Sequence, residues 1–318
     1  MHFSPLRLHI PDGFLSTPVA LVGWLLAVLV VGVALRQTRR QLGDRQVPLM
    51  GILAAFVFAA QAINFPVAAG TSGHLLGGAL VAVLLGPWAA TLVMTAVMGV
   101  QAVLFQDGGL LALGWNILNM GVLTAFTGYA CYRLLLRLIG ERPAARVAAS
   151  FAGAWVSVEV GAIATSIELA VSGTSPLGMA LPAMAGVHAL IGIGEGLITS
   201  GAVGLLQASR PEVLQTGEQA PGKRGASLAA LGLLVALAVA AFSPLASTHP
   251  DGLEYIAVQT GFAENALAPA FNFLPDYSVP FIQNAALTTI AAVALGTLLV
   301  FGLAWLVGRG VLGSGRKV

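Results

Sequence analysis

Charge is scarce in this chain. Only 9% of its 318 residues are Asp, Glu, Lys or Arg, against about 25% in soluble domains. That shortage excludes a water-exposed globular surface of ordinary composition. Cysteine is nearly absent as well: Cys131 stands alone, so no disulfide framework exists and nothing reports on redox compartment. Catalytic signatures are missing too. Neither HExxH nor GxSxG occurs, which leaves the common membrane-protease and esterase readings without support. The stretch Gly217–Arg224 fits GxxxxGK but closes on Arg where a Ser or Thr should hold Mg²⁺, and it lacks a preceding strand. It is a chance match, so the chain carries no ATP-binding machinery, and uphill work would need another subunit. No secretory signal is expected, because residues 1–7 are too short and the first apolar stretch is a full span. No internal repeat or low-complexity tract is present.

What the chain has in abundance is apolar residues, at 57%. They recur in runs suited to the ~20 residues of a bilayer-spanning helix. The fold class is therefore an all-α polytopic membrane protein. Nine spans are expected, at about 18–35, 48–65, 75–86, 88–105, 110–136, 147–172, 178–207, 226–246 and 282–308. The third is short and is divided from the fourth by Gly86-Pro87, so this pair also reads as one kinked or re-entrant element.

Basic residues test that count. With the N-terminus outside, the inner loops collect 14 of the 15 Lys and Arg residues, and Arg7 alone stays outside. Such asymmetry is the positive-inside pattern, so the C-terminus is expected inside. It also accounts for the pI near 9.0 without nucleic acid as a partner. Residues 209–225 are polar and carry Pro and Gly, which reads as a flexible cytoplasmic linker. The linker separates a seven-span module from a two-span module over 226–318, whose outer loop covers 247–282.

The same parity places His2, His9, His74 and His249 at the outer face. Imidazole suits late first-row divalent metals, so His9 before the first span and His74 in "AAGTSGHLLGG" make a candidate capture pair. The plainer alternative is that each is an ordinary interfacial polar residue. Glu159, Glu168 and Glu195 lie at membrane depth, where carboxylates face the bundle interior or water, with Glu168 near an outer end and read as solvated. His188 and Glu195 share a helical face seven residues apart, about 10 Å, too far to bond directly. An ion relay and separate interhelical hydrogen bonds are both open, the second being the commoner use. In "STHPDGLE", His249, Asp251 and Glu254 are weak candidate ligands against a solvated turn.

Three motifs in order, "HIPDGFLS", "GTSGHLLGGALVAVLLGPW" and "HALIGIGEGLIT", resemble the CbiM/NikM family over roughly residues 8–208. Residues 226–318, with "SPLASTHPDGLEYIA", resemble the CbiN-like PDGLE domain. The resemblance implies a seven-helix substrate-capture permease of an energy-coupling-factor ABC transporter for cobalt or nickel, with two added helices. It implies a cytoplasmic-membrane protein of a bacterium or archaeon, working with a transmembrane coupling subunit and ATP-binding cassette ATPases. No prosthetic group and no enzymatic activity are implied; Co²⁺ or Ni²⁺ is cargo. The family's near-planar all-nitrogen site maps onto the amine of Leu8, the main-chain nitrogen and imidazole of His9, and His74. Those donors suit Ni(II) and can hold Co(II), while Mg²⁺ and Ca²⁺ prefer oxygen. The family begins Met-His, whereas MHFSPLR precedes Leu8 here. Three readings fit: a true start at codon 8, removal of the heptapeptide, or Met1-His2 supplying the chelate. The first agrees best with the register of "LHIPDGFLS". Two alternatives remain open at this point: a vitamin-type substrate component, which needs an aromatic-lined pocket, and a membrane metalloenzyme built on His188, Glu195 and Glu159.

Overall fold

The computed structural model describes residues 9–43, 46–67, 70–209, 222–271 and 273–313. Ten α-helices carry the architecture. They are α1 (Thr17–Gln41), α2 (Gln46–Gln61), α3 (Gly78–Leu85), α4 (Pro87–Phe105), α5 (Leu113–Ile139), α6 (Pro143–Val171), α7 (Leu177–Ser209), α8 (Gly222–Ala241), α9 (Gly252–Thr260) and α10 (Ala285–Gly313). Six of them, α1, α4, α5, α6, α7 and α10, are long and apolar enough to cross a membrane. The expected second and eighth spans appear as shorter apolar helices, Gln46–Gln61 and Ala229–Leu245.

Exposed leucines follow from the solvent rather than from poor packing. On α1, Leu21, Leu25, Val28 and Leu29 are exposed while Ala20, Gly23, Ala27 and Ala34 are buried. Large apolar side chains thus face outward and small ones meet neighbouring helices, the arrangement close packing in lipid favours. The short helix α2 is the reverse case. Met50, Ala54, Val57 and Phe58 are wholly buried, because α4, α8 and α10 pack around it. Gly296 of α10 lies against the Phe58 and Phe105 rings, and Gly51 of α2 backs onto Phe301. Gly296→Val should therefore drive a branched side chain into two rings and lower stability by about 1–3 kcal/mol. Thermal unfolding in detergent measures this, and an unchanged midpoint would contradict the packing described.

The expected third span takes a different form. Helix α3 has eight residues, a rise of about 12 Å against a hydrocarbon core of about 30 Å. Gly86 ends it at φ 83°, ψ 159°, which only glycine adopts cheaply, and Pro87 starts α4. Ahead of α3 runs an irregular segment, 62–77, with a small antiparallel pairing of Phe65–Pro66 and Ser72–Gly73. This segment reaches deep. Leu76 and Gly77 donate their backbone N–H groups to the Glu195 carboxylate at 2.6 and 2.9 Å. Glu195 lies 18 residues beyond Leu177 along α7, about 27 Å of helix. Irregular backbone at such depth is tolerable because protein surrounds it: Ser72, Leu75 and Gly77 are all buried.

The stretch 247–254 is not the solvated turn expected from its composition. Ser72 donates its N–H to the Pro250 carbonyl at 2.8 Å, and its hydroxyl to the His249 carbonyl at 2.8 Å. Those bonds dock the turn on 70–77, so Asp251, Gly252 and Leu253 are buried and His249 stays exposed. Asp251 accepts the Glu254 N–H at 2.7 Å and so caps α9.

Candidate metal centre

The segment from His9 to Ser16 is held by main-chain and carboxylate bonds, not by a helix of its own. Asn116 clamps Ile10, accepting its N–H and donating to its carbonyl, both at 3.1 Å. Asp12 accepts the N–H groups of Leu110, Leu111 and Ala112 at 3.0, 2.8 and 3.1 Å. A carboxylate there satisfies donors ahead of α5 and meets the positive end of its dipole. Gly109 makes this possible, since a Cβ would occupy the space of the Asp12 carboxylate. Asn116 and the N–H groups that Asp12 takes lie in the stretch between two π-helical turns, Gln101–Phe105 and Ile117–Leu123, a distortion frequent at functional sites.

This clamp presents His9, which is 3% exposed. Its Nδ1 lies 3.1 Å from Asp107 Oδ1 and 3.3 Å from the Asp107 carbonyl. Both neighbours can only accept, so Nδ1 carries a proton. Burial alone disfavours the imidazolium, but the Asp107 charge and its hydrogen bonds outweigh that and hold His9 above the ordinary imidazole range. Asp107 is buried too, yet the facing His9 keeps its carboxyl below the usual carboxylate value. His9 Nε2 is buried and has no hydrogen-bond partner among the described residues.

His74 stands edge-on to His9, with ring centres 5.5 Å apart. A ring centre sits about 3 Å from a metal bound at 2.0–2.1 Å, so two imidazoles sharing one ion lie about 4–6 Å apart. The observed separation falls inside that window. His74 Nδ1 donates to the Leu75 carbonyl at 2.9 Å, which places the ring's lone pair on Nε2. Both rings line a cavity of about 70 Å³, with Asn116, Asn119, His188 and Asp251 on its walls. Among the described residues, no Phe, Tyr or Trp lines it. Organic-ligand pockets measure about 300–1,000 Å³, so this one has room for an ion and not for a vitamin.

Sequence reasoning singled out His9 and His74, and the structure brings them together. Leu8, His2 and residues 1–7 lie outside the described residues. The metalloenzyme trio does not converge. Glu195 serves Leu76 and Gly77, His188 donates Nδ1 to the Met184 carbonyl at 2.8 Å, and Glu159 Oε1 is buried without a partner. Among the described residues, no three His, Cys, Asp or Glu side chains form a metal-holding group. Glu168, read as solvated, is 5% exposed and accepts Asn119 Nδ2 at 3.0 Å. Asp107 and Tyr277 went unrecognised as site residues. Asp107 carried a signal, being a carboxylate placed at the same face as the histidines; Tyr277 carried none.

Asp251 yields a pH prediction. Burial is the chief cause that pushes its carboxyl up to about 8, with the Glu254 N–H partly opposing. A carboxyl raised from about 3.9 in the unfolded chain loses stability for the fold as pH climbs toward 8. His9 acts the same way, contributing below pH ~6.5 and losing that contribution as pH rises through its raised folded value. Metal-free protein should therefore lose on the order of 2 kcal/mol between pH 6 and pH 9. Unfolding midpoints that rise over this interval would contradict the burial of Asp251.

Comparison with known proteins agrees with this picture. Residues 9–213 match the family model CbiM, a cobalt uptake substrate-specific transmembrane region, and residues 226–312 match the PDGLE domain. A chain of Archaeoglobus fulgidus named as a fused nickel transport protein, NikMN, is 37% identical, covering 95% of this chain and 98% of its own. The fused nickel transport protein NikMN of Rhodobacter capsulatus is 32% identical over 92% of this chain and 95% of its own. A crystal structure of a truncated transition metal transporter matches with a TM-score of 0.57 and 37% identity, covering 63% of this chain and 98% of that one.

Proposed function

Because the chain belongs to the CbiM family of cobalt uptake transmembrane proteins and carries a PDGLE domain behind that region, we propose that it captures Co²⁺ or Ni²⁺ at the outer membrane face. The carrying observation is the His9–His74 pair, 5.5 Å apart and buried around an ion-sized cavity. Leu8 would contribute its amine once it is residue one, and His9 its main-chain nitrogen and imidazole. Together with His74 these form a four-nitrogen set suited to Ni(II) and Co(II).

The fused chelate closes through His9 Nδ1, the nitrogen that now faces Asp107. A half-turn of the ring exchanges Nδ1 with Cδ2 and Nε2 with Cε1, and so frees Nδ1 from its contact with Asp107. With the metal on Nδ1 the ring proton sits on Nε2, and Asp107 as its acceptor would complete a carboxylate–histidine–metal arrangement. Since each imidazole must shed its proton, affinity falls as pH falls, beginning above pH ~6.5 because Asp107 favours the proton on His9.

The transport reading extends to topology and partners. The chain crosses the membrane nine times, with 62–77 and α3 together making the third crossing, the N-terminus outside and the C-terminus inside. This supposes a metal-binding region over 8–208, a linker over 209–225 and a PDGLE region over 226–318. A coupling subunit and cassette ATPases supply the energy, in the cytoplasmic membrane of a bacterium or archaeon. The test is metal analysis of purified full-length protein after exposure to Ni²⁺ or Co²⁺ and removal of excess. About one equivalent is expected, with competition between the two ions ranking them. Absence of both ions from a protein whose mature N-terminus is Leu8 would sink the proposal.

A further inference from the structure

The metal-facing His9 is supported from an unexpected direction. Asp107, its partner, has a second carboxylate oxygen, and that oxygen accepts the Tyr277 hydroxyl at 2.7 Å. Tyr277 belongs to the outer loop between α9 and α10, 170 residues away in sequence. The phenol is 1% exposed. Its ring stacks on Phe105 at 4.8 Å and tilts against Phe58 at 6.1 Å.

The hydrogen bonding continues past the phenol. Gln101 Nε2 donates to the Tyr277 oxygen at 3.3 Å and to Gln61 Oε1 at 2.9 Å. Gln61 Nε2 donates to the Leu76 carbonyl at 2.9 Å, and the Leu76 N–H is held by Glu195. Leu75 next door orients His74. A polar chain therefore runs from His9 to the Leu76 carbonyl, one peptide from the Leu75 carbonyl that orients His74, and Tyr277 is its member from the C-terminal region.

Backbone conformation adds an independent mark. Asp276 and Tyr277 have φ of 50° and 53°, and Gln106, just before Asp107, has φ of 60°. Non-glycine residues rarely adopt the left-handed region, and the surrounding structure must enforce it. Here the residue before Asp107 and the tyrosine that meets it both adopt it.

We propose that Tyr277 is a positioning residue for metal binding: its hydroxyl fixes the Asp107 carboxylate, which in turn sets the orientation of His9. This inference rests on the metal-capture reading above. It makes the PDGLE region a structural contributor to the site, acting through a hydrogen bond without touching the ion. A carboxylate held at one oxygen by Tyr277 keeps the other aimed at the imidazole.

Tyr277→Phe in the full-length chain removes the hydroxyl and keeps the ring stack. Titration with Ni²⁺ should show about 10-fold weaker binding, the lower end for loss of a group behind a metal ligand. Asp107→Asn should weaken binding by about 10–100-fold, and adding Tyr277→Phe to it should change nothing more, since the hydroxyl acts through that carboxylate. Cu²⁺ bound to Tyr277→Phe should show a shifted visible absorption band. Phe105→Leu, which disturbs the stack alone, should lower the unfolding temperature while leaving Ni²⁺ affinity within about twofold.

Unchanged Ni²⁺ affinity in Tyr277→Phe overturns the inference. So do fully additive effects with Asp107→Asn, or an equal loss of affinity in Phe105→Leu, which would assign the effect to packing. If wild-type protein with Leu8 as its N-terminus binds neither Ni²⁺ nor Co²⁺, the capture reading falls and this inference with it. If wild type binds and Tyr277→Phe binds equally, only the positioning role falls.

Discussion

His74→Ala is expected to abolish stoichiometric Ni²⁺ and Co²⁺ binding. The lost imidazole is one of four proposed nitrogens, and it is pre-aimed by the bond from its Nδ1 to the Leu75 carbonyl. His188, on the same cavity wall, is tied through Nδ1 to the Met184 carbonyl and is no substitute in place. Among the described residues no three His, Cys, Asp or Glu side chains gather to hold an ion. Loss of groups behind a ligand costs about 10–100-fold, so loss of the ligand itself should exceed about 100-fold. The site is small and His74 is 8% exposed, so alanine leaves a polar void more than a collapsed fold. Metal content per protein after dialysis gives the answer. One retained equivalent in the variant would show that the ion sits elsewhere.

The second large effect belongs to Glu195→Ala. This carboxylate is fully buried and takes two backbone N–H groups at the start of α3. Alanine orphans both donors, each costing about 1–3 kcal/mol when buried and unpaired, for a loss of about 2–6 kcal/mol. Water cannot easily compensate at that depth. Glu195→Gln keeps one acceptor oxygen but turns an amide NH₂ toward the other N–H, so it should fall between wild type and alanine. Thermal unfolding in detergent orders the three variants. Metal affinity should follow the same order, because the 74–77 segment that Glu195 holds also carries His74. Wild-type stability in Glu195→Ala would contradict the capping role and return the residue to the relay reading.

The two residues show how far sequence reasoning reaches. His74 was visible as an imidazole beside a glycine-rich turn at the outer face, and its partner His9 by the same parity. Glu195 was visible as a carboxylate at membrane depth, but its role was not. The N–H donors it accepts from lie more than a hundred residues away, and helical spacing pairs residues within one helix only. The third apolar run misled for a related reason. Continuous hydrophobicity over 75–86 reads as a span, yet its first residues are not helical: Gly77 sits at φ 83°, held by the Glu195 carboxylate, and the helix starts only at Gly78. Asp251 and Glu168 were assigned to water from their polarity, while Ser72 and Asn119 bury or bond them.

By itself, the sequence determined that this chain is an apolar helical bundle for a bilayer, since composition and run length depend on the solvent and not on contacts. It also singled out His9 and His74 as a candidate pair. Tertiary structure decided what those imidazoles meet: the Asp107 carboxylate, the Tyr277 hydroxyl behind it and the Leu75 carbonyl. Directional hydrogen bonds between distant segments leave no periodic trace in a chain, so only the folded arrangement could supply them.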